Sequence, residues 1–120
     1  VADAPQLKAA TEALRNRLPS GGTNLHGAFD AVGTLPGGPD NIFLITDGLP
    51  TQSYEPPRRT TISGRDRLGL FRKAVQRLPA GVPVNIILAP MEGDPMAASE
   101  FWQLAQVSGG SFMSPSRDWP

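Results

Sequence analysis

Cysteine is absent from the 120 residues, and histidine occurs once, at His26. Without cysteine there is no disulfide framework, no cysteine-ligated zinc and no thiol nucleophile. The compartment stays open, because a cysteine-free chain can occur anywhere. Net charge is also absent, since 11 Lys+Arg balance 11 Asp+Glu. A neutral chain has no global field to steer it to nucleic acid or to an anionic membrane. Aromatics make up only 7%, and no basic-aromatic interleaving provides a stacking platform for nucleic acid. No apolar run reaches the ~18 residues of a transmembrane helix. The first residues, Val-Ala-Asp-Ala-Pro, are neither a methionine start nor a signal peptide. They suggest a piece processed from something longer.

What is present is glycine and proline, 13 of each. They cluster between periodic segments, as punctuation does. Asp3 and Pro5 read as a helix start, with Leu7, Ala10, Leu14 and Leu18 as one apolar stripe. Pro19-Ser20-Gly21-Gly22 ends that helix. Thr23 or Asn24 can cap a short second one with Leu25, Ala28, Phe29 and Val32 inward. Ile42-Phe43-Leu44-Ile45 is a continuous apolar run, the pattern of a parallel strand buried on both faces. Ser63 with Asp66 forms a capping-box pattern ahead of a helix carrying Leu68, Phe71, Val75 and Leu78. Val84 to Leu88 is a second buried strand. Asp94-Pro95 reads as the start of a last helix, with Phe101, Leu104 and Ala105 inward and Gly109-Gly110 at its end. Ser111-Phe112-Met113 reads as a short third strand.

The order α-α-β-α-β-α-β implies an α/β fold with right-handed crossovers. The expectation is a three-layer, Rossmann-like, doubly wound and mostly parallel sheet. One domain over 1–113 and a tail over 114–120 complete the outline.

Charge is distributed unevenly. Residues 58–78 carry seven basic side chains against Asp66 alone, whereas the stretches on either side are each net acidic by three. A solvated helix face is the plain explanation; a contact surface for an acidic partner is the functional one.

In open parallel sheets, ligands bind beyond the carboxyl ends of the strands. The first strand ends Ile45-Thr46-Asp47-Gly48, which puts a carboxylate on that rim. An oxygen ligand there suits a hard cation. The alternative is an Asx turn, with Asp47 bonding its own backbone and Gly48 supplying positive φ. Thr23, at a helix start, either caps or offers its hydroxyl to the same rim.

Together, Gly-Gly-Thr-Asn-Leu-His-Gly-Ala-Phe (21–29) and Asn-Ile-Phe-Leu-Ile-Thr-Asp-Gly-Leu-Pro-Thr (41–51) resemble the von Willebrand factor A domain. Val82 to Ile86, Phe101 to Ala105 and Ser108 to Phe112 are similar to that family's later segments. The resemblance implies a metal-ion-dependent adhesion site, with Thr23 and Asp47 as ligands of Mg²⁺ or Mn²⁺ and Gly22, Asn24 and Gly48 as supporting loop residues. It also implies a protein partner whose carboxylate completes the shell. The family's remaining ligands come from an Asp-x-Ser-x-Ser segment on its central strand, and these 120 residues contain no such segment. The expectation is therefore that the N-terminal strands are absent from this chain. The strand at 42–46 would then present an open edge, met by a missing N-terminal segment or by a second copy.

The leading functional expectation is a divalent-cation-dependent protein-interaction module rather than an enzyme. The alternatives are an assembly module with a degenerate, metal-free site and, more remotely, a metal-dependent hydrolase or phosphoryl transferase. The last has only Thr46-Asp47-Gly48 behind it and lacks a Gly-x-x-x-x-Gly-Lys phosphate loop. No nucleophile elbow accompanies His26, which reads as a surface or hydrogen-bonded residue. Asp94 reads as a helix cap, Met91 to Asp94 as a rim loop, and Trp102 and Trp119 as packing residues.

Overall fold

A computed structural model of the chain describes residues 4–18, 20–55, 61–89 and 91–115. The fold is a small α/β unit of four helices and a three-stranded parallel sheet. In chain order these are α1 (Ala4–Arg15), α2 (Leu25–Gly33), β1 (Ile42–Thr46), α3 (Gly64–Val75), β2 (Val84–Leu88), α4 (Ala97–Ser108) and β3 (Phe112–Met113). This is the order read from the sequence. Asp3, Pro19, Arg58, Arg59 and Trp119 lie outside the described residues. Among those described, no helix is long and apolar enough to cross a membrane.

Local chemistry sets the helix ends. Asn24 caps α2 by accepting the Gly27 N–H at 3.0 Å. Ser63 and Asp66 form the expected capping box at α3, each side chain accepting the other's backbone N–H. At the end of α4, Gly109 takes the left-handed conformation with φ 74°. Gly110 is constrained differently. A β-carbon there would lie 2.0 Å from the Val84 carbonyl oxygen, so only a bare backbone can pass the start of β2.

The strands lie in the order β1-β2-β3, all parallel, with Leu44 beside Ile86 and Ile86 beside Phe112. Strand order never reverses. A right-handed crossover that always steps the same way leaves each connecting helix on the same face. Accordingly α3 and α4 share one face, with Phe71 and Phe101 in edge-to-face contact at 5.0 Å between centroids. Helix α2 joins them, with Leu25 and Phe29 in the same core as Val84, Ile86 and Leu88.

Several expectations are corrected at this point. The doubly wound, three-layer arrangement is reduced, among the described residues, to two layers. The first strand is buried on one face only. Ile42 is buried and Leu44 packs on the core, while Phe43 and Ile45 are each 73% exposed. Helix α1 also departs from expectation. It ends at Arg15, and its stripe of Leu7 and Leu14 is exposed, with no residue of the helix buried. Trp102, expected to pack, is 54% exposed on α4.

The glycine pair at the end of α4 separates two kinds of constraint. Gly110→Ala is expected to lower stability by about 3 kcal/mol, the upper part of the overpacking range, because backbone must move. Gly109→Ala is expected to cost about 1 kcal/mol, the penalty of a left-handed L-residue. Urea unfolding of the two variants, followed by circular dichroism, ranks them.

Candidate functional site

The rim beyond the carboxyl ends of β1 and β2 is built by one largely buried ionic clamp. Asp94 accepts the Leu49 N–H at 2.7 Å and pairs with the Arg67 guanidinium at 2.8 Å. Arg67 in turn donates Nε–H and Nη2–H to the Leu49 carbonyl, at 3.2 and 2.5 Å. The Asp94 side chain is only 4% exposed. Both backbone groups of Leu49 are thereby held by one ion pair drawn from α3 and from the loop after β2. Leu49 and Pro50 are buried beneath it.

This corrects two local readings. Asp94 does not cap α4, whose N-cap position is Met96 with no side-chain cap bond. Its carboxylate works 45 residues away in sequence, on Leu49. Gly48 does not need positive φ. A β-carbon on Gly48 would sit 2.7 Å from the Asp94 carboxylate and 3.0 Å from the Arg67 guanidinium, so the clamp itself demands glycine.

The turn after β1 is also not an Asx turn. The Thr46 hydroxyl, not Asp47, holds it, donating to the Gly48 carbonyl at 3.0 Å. Asp47 is left exposed, and its carboxylate has no hydrogen-bond or ionic partner among the described residues.

Thr23 reaches this rim through a second set of contacts. Its backbone N–H donates to the Thr51 hydroxyl at 3.1 Å, and its carbonyl accepts the N–H groups of Thr51 and Gln52, each at 3.0 Å. Gly22 allows the approach, since a β-carbon there would lie 2.5 Å from the Thr51 hydroxyl oxygen. Asn24 does the capping, which leaves the Thr23 hydroxyl without a bond among the described residues. Thr23 and Asp47 line one open depression of about 360 Å³, with Leu25, Leu44, Ile45, Thr46 and Ala89. The two residues singled out in the sequence are thus brought to one place. Thr51 and Arg67, which hold the loop there, carried no local signal, because their partners are distant.

These donors suit a hard cation in type but not in number. One carboxylate and one hydroxyl make a partial shell, and no group of three His, Asp or Glu side chains that could hold a metal occurs among the described residues.

A separate polar cluster ties α2, the loop after β1 and α3. Asp30 accepts the Tyr54 hydroxyl at 2.8 Å and pairs with Arg77 through Nε. His26 lies 3.9 Å from Asp30, 3.5 Å from the Ser53 hydroxyl and against the Tyr54 ring. The single histidine is therefore a hydrogen-bonded surface residue, as expected. The basic segment is not merely solvated: Arg67 and Arg77 hold Asp94 and Asp30, and Arg72 approaches Glu100 at 3.8 Å.

Hydrogen bonds from Arg77 and then Tyr54 hold the Asp30 carboxyl below the ordinary carboxylate range. The bond to Asp30 raises the Tyr54 hydroxyl above its usual value. A lowered carboxyl stabilises the fold above its unfolded value and loses that contribution as pH falls through the folded one. A raised phenol stabilises below its unfolded value and loses the contribution as pH rises. The difference in melting temperature between wild type and Asp30→Asn is therefore expected to shrink as pH falls below about 3.9, where an unfolded Asp titrates, and on through the lower folded value. The difference for Tyr54→Phe is expected to fade above about pH 10, where an unfolded tyrosine ionises. Thermal melts across pH read both.

No protein-family profile, no curated protein and no solved structure matches this chain, so the rim geometry and the sequence motifs are what any functional reading has to work from.

Proposed function

We propose that the chain is a protein-interaction module of von Willebrand factor A type, with Thr23 and Asp47 as part of a divalent-cation site. The observation that carries this reading is the pair of unbonded oxygen groups, the Thr23 hydroxyl and the Asp47 carboxylate, at one open depression past the end of β1. Four neighbouring polar side chains are engaged: Asn24 caps, Thr46 holds the turn, Thr51 holds Thr23 and Asp94 holds Leu49. Leaving two oxygens free among so many satisfied ones fits a ligand supplied from outside.

Mg²⁺ accepts few protein oxygens and keeps several waters, so it suits an open, partial shell. When bound, the cation would supply a positive centre that attracts a carboxylate of a protein partner. Asp47 would contribute the charge and Thr23 a neutral oxygen. Gly22 and Gly48 would act indirectly, by letting the loops that carry these residues close on Thr51 and Asp94. The remaining ligands would come from an Asp-x-Ser-x-Ser element of the kind the family uses.

Manganese-induced line broadening in amide NMR spectra tests the site at low affinity. Millimolar Mn²⁺ is expected to broaden residues 22–24 and 46–48 first. Asp47→Asn is expected to weaken that effect about tenfold, since affinity follows ligand charge. The same substitution is expected to leave stability within ~0.5 kcal/mol, because the carboxylate bonds nothing in the fold. Broadening spread evenly over exposed carboxylates, or unchanged in Asp47→Asn, sinks the reading.

A further inference from the structure

We infer that Arg67 is a positioning residue for the candidate cation site: by gripping the Leu49 carbonyl it sets where Thr23 stands relative to Asp47. This rests on the cation reading above, and it concerns how the fold spaces two oxygen ligands carried by different segments. Leu49 is the joint between those segments, and its two flanking peptide groups are held by different side chains.

Asp94 holds the Asp47 side of the joint. The Thr46 carbonyl accepts the Ala89 N–H at 2.9 Å, which ties the end of β1 to β2. The Thr46 hydroxyl donates to the Gly48 carbonyl at 3.0 Å and closes the turn. Asp94 then accepts the Leu49 N–H at 2.7 Å, the N–H of the peptide between Gly48 and Leu49. Asp47 is thereby bracketed, although its carboxylate bonds nothing.

Arg67 holds the Thr23 side. The carbonyl it grips belongs to the peptide between Leu49 and Pro50, and both Nε–H and Nη2–H reach it. Pro50 is buried and its φ is fixed by the ring, so little freedom remains before Thr51. Thr23 then hangs by its whole backbone on the next two residues. Its N–H donates to the Thr51 hydroxyl, and its carbonyl accepts the N–H groups of Thr51 and Gln52. Core packing of Leu25 and Phe29 seats α2 as a body. The grip on Leu49 sets the approach of the residue just ahead of its cap. Arg67 is itself well fixed. It lies in the first turn of α3, behind the Ser63 and Asp66 capping box, and its guanidinium is paired with Asp94 at 2.8 Å. A rigid planar fork suits this role, and a lysine ammonium lacks one.

Two charge-preserving changes separate positioning from electrostatics. Arg67→Lys keeps the positive charge and loses the fork. Arg67→Met combined with Asp94→Asn removes both charges together. The asparagine amide oxygen can still accept the Leu49 N–H, so the carbonyl alone loses its donors. Net charge matches the wild type in both proteins, and circular dichroism checks that each is folded. Mn²⁺ is titrated into all three, followed by amide NMR. In both variants the affinity is expected to fall about tenfold, the lower end of the loss found when residues behind a metal ligand are changed. Broadening weakens with distance from the ion. At saturation, residues 22–24 are therefore expected to broaden less, relative to 46–48, than in the wild type. Without any cation, the Thr51 and Gln52 amides are expected to exchange with solvent faster in both variants, as their bonds to Thr23 open more often. A role confined to stability would lower the melting temperature and leave the balance between the two segments unchanged.

The failures are distinguishable. A wild type whose broadening is not localised to 22–24 and 46–48 fails the cation reading, and the role of Arg67 fails with it. Localised broadening that both variants retain, at the same affinity and in the same balance, overturns the positioning role alone. So does a fall in affinity with an unchanged balance, because Thr23 has then not moved.

Discussion

The ion pair between Asp94 and Arg67 is the contact on which the rest of the rim depends. It joins the loop after β2 to α3 and uses the backbone of Leu49, in the loop after β1, as its third member. A buried carboxylate alone is expensive, and so is a buried guanidinium. Here each meets the other and a backbone group as well, so neither is left uncompensated. The arrangement also explains what surrounds it. Residue 48 has to be glycine, and Leu49 and Pro50 can be buried although they lie in a loop. From Pro50 the chain continues to Thr51, which receives Thr23. Asp94 thus positions Thr23 through Leu49 and Thr51, without approaching it.

Much of the fold was legible because it rests on local rules. The helix stripes, the Ser63 and Asp66 capping box, the αL glycine after α4 and the seven-element order follow from spacing and from turn chemistry. Asp94 misled for the same reason. Asp-Pro ahead of an apolar helix is a sound local signal for a cap, but a partner 45 residues away offered a buried N–H and a guanidinium. Arg67 was hidden among seven basic residues, where sequence alone cannot tell the one that turns inward. The candidate site divided in the same way. Thr23 and Asp47 could be picked from motif and strand end, whereas Thr51, which holds Thr23 in place, could not.

The half-bare sheet was not legible, and its cause is topological. An apolar run such as Ile42 to Ile45 reads alike whether it is covered on one face or on both. Cover depends on which way the chain steps after each helix. Two right-handed steps in the same direction put α3 and α4 on one side. Helix α1, despite its apolar stripe, buries none of its residues.

These facts converge on one strand. Because β1 is outermost, Phe43 and Ile45 have, among the described residues, neither a strand beside them nor a helix over them. Because it is followed by a turn that Thr46 closes, Asp47 is released from the backbone and left free at the strand's end. The free carboxylate and the free edge therefore share an origin. Alternation along a five-residue strand sends Ile42, Leu44 and Thr46 to β2 and the core. It sends Phe43 and Ile45 away from both, and Asp47 follows directly after the strand. The exposed apolar side chains and the unbonded carboxylate of this rim therefore sit on those three residues. The same pattern that builds the core from the even positions leaves the odd ones available.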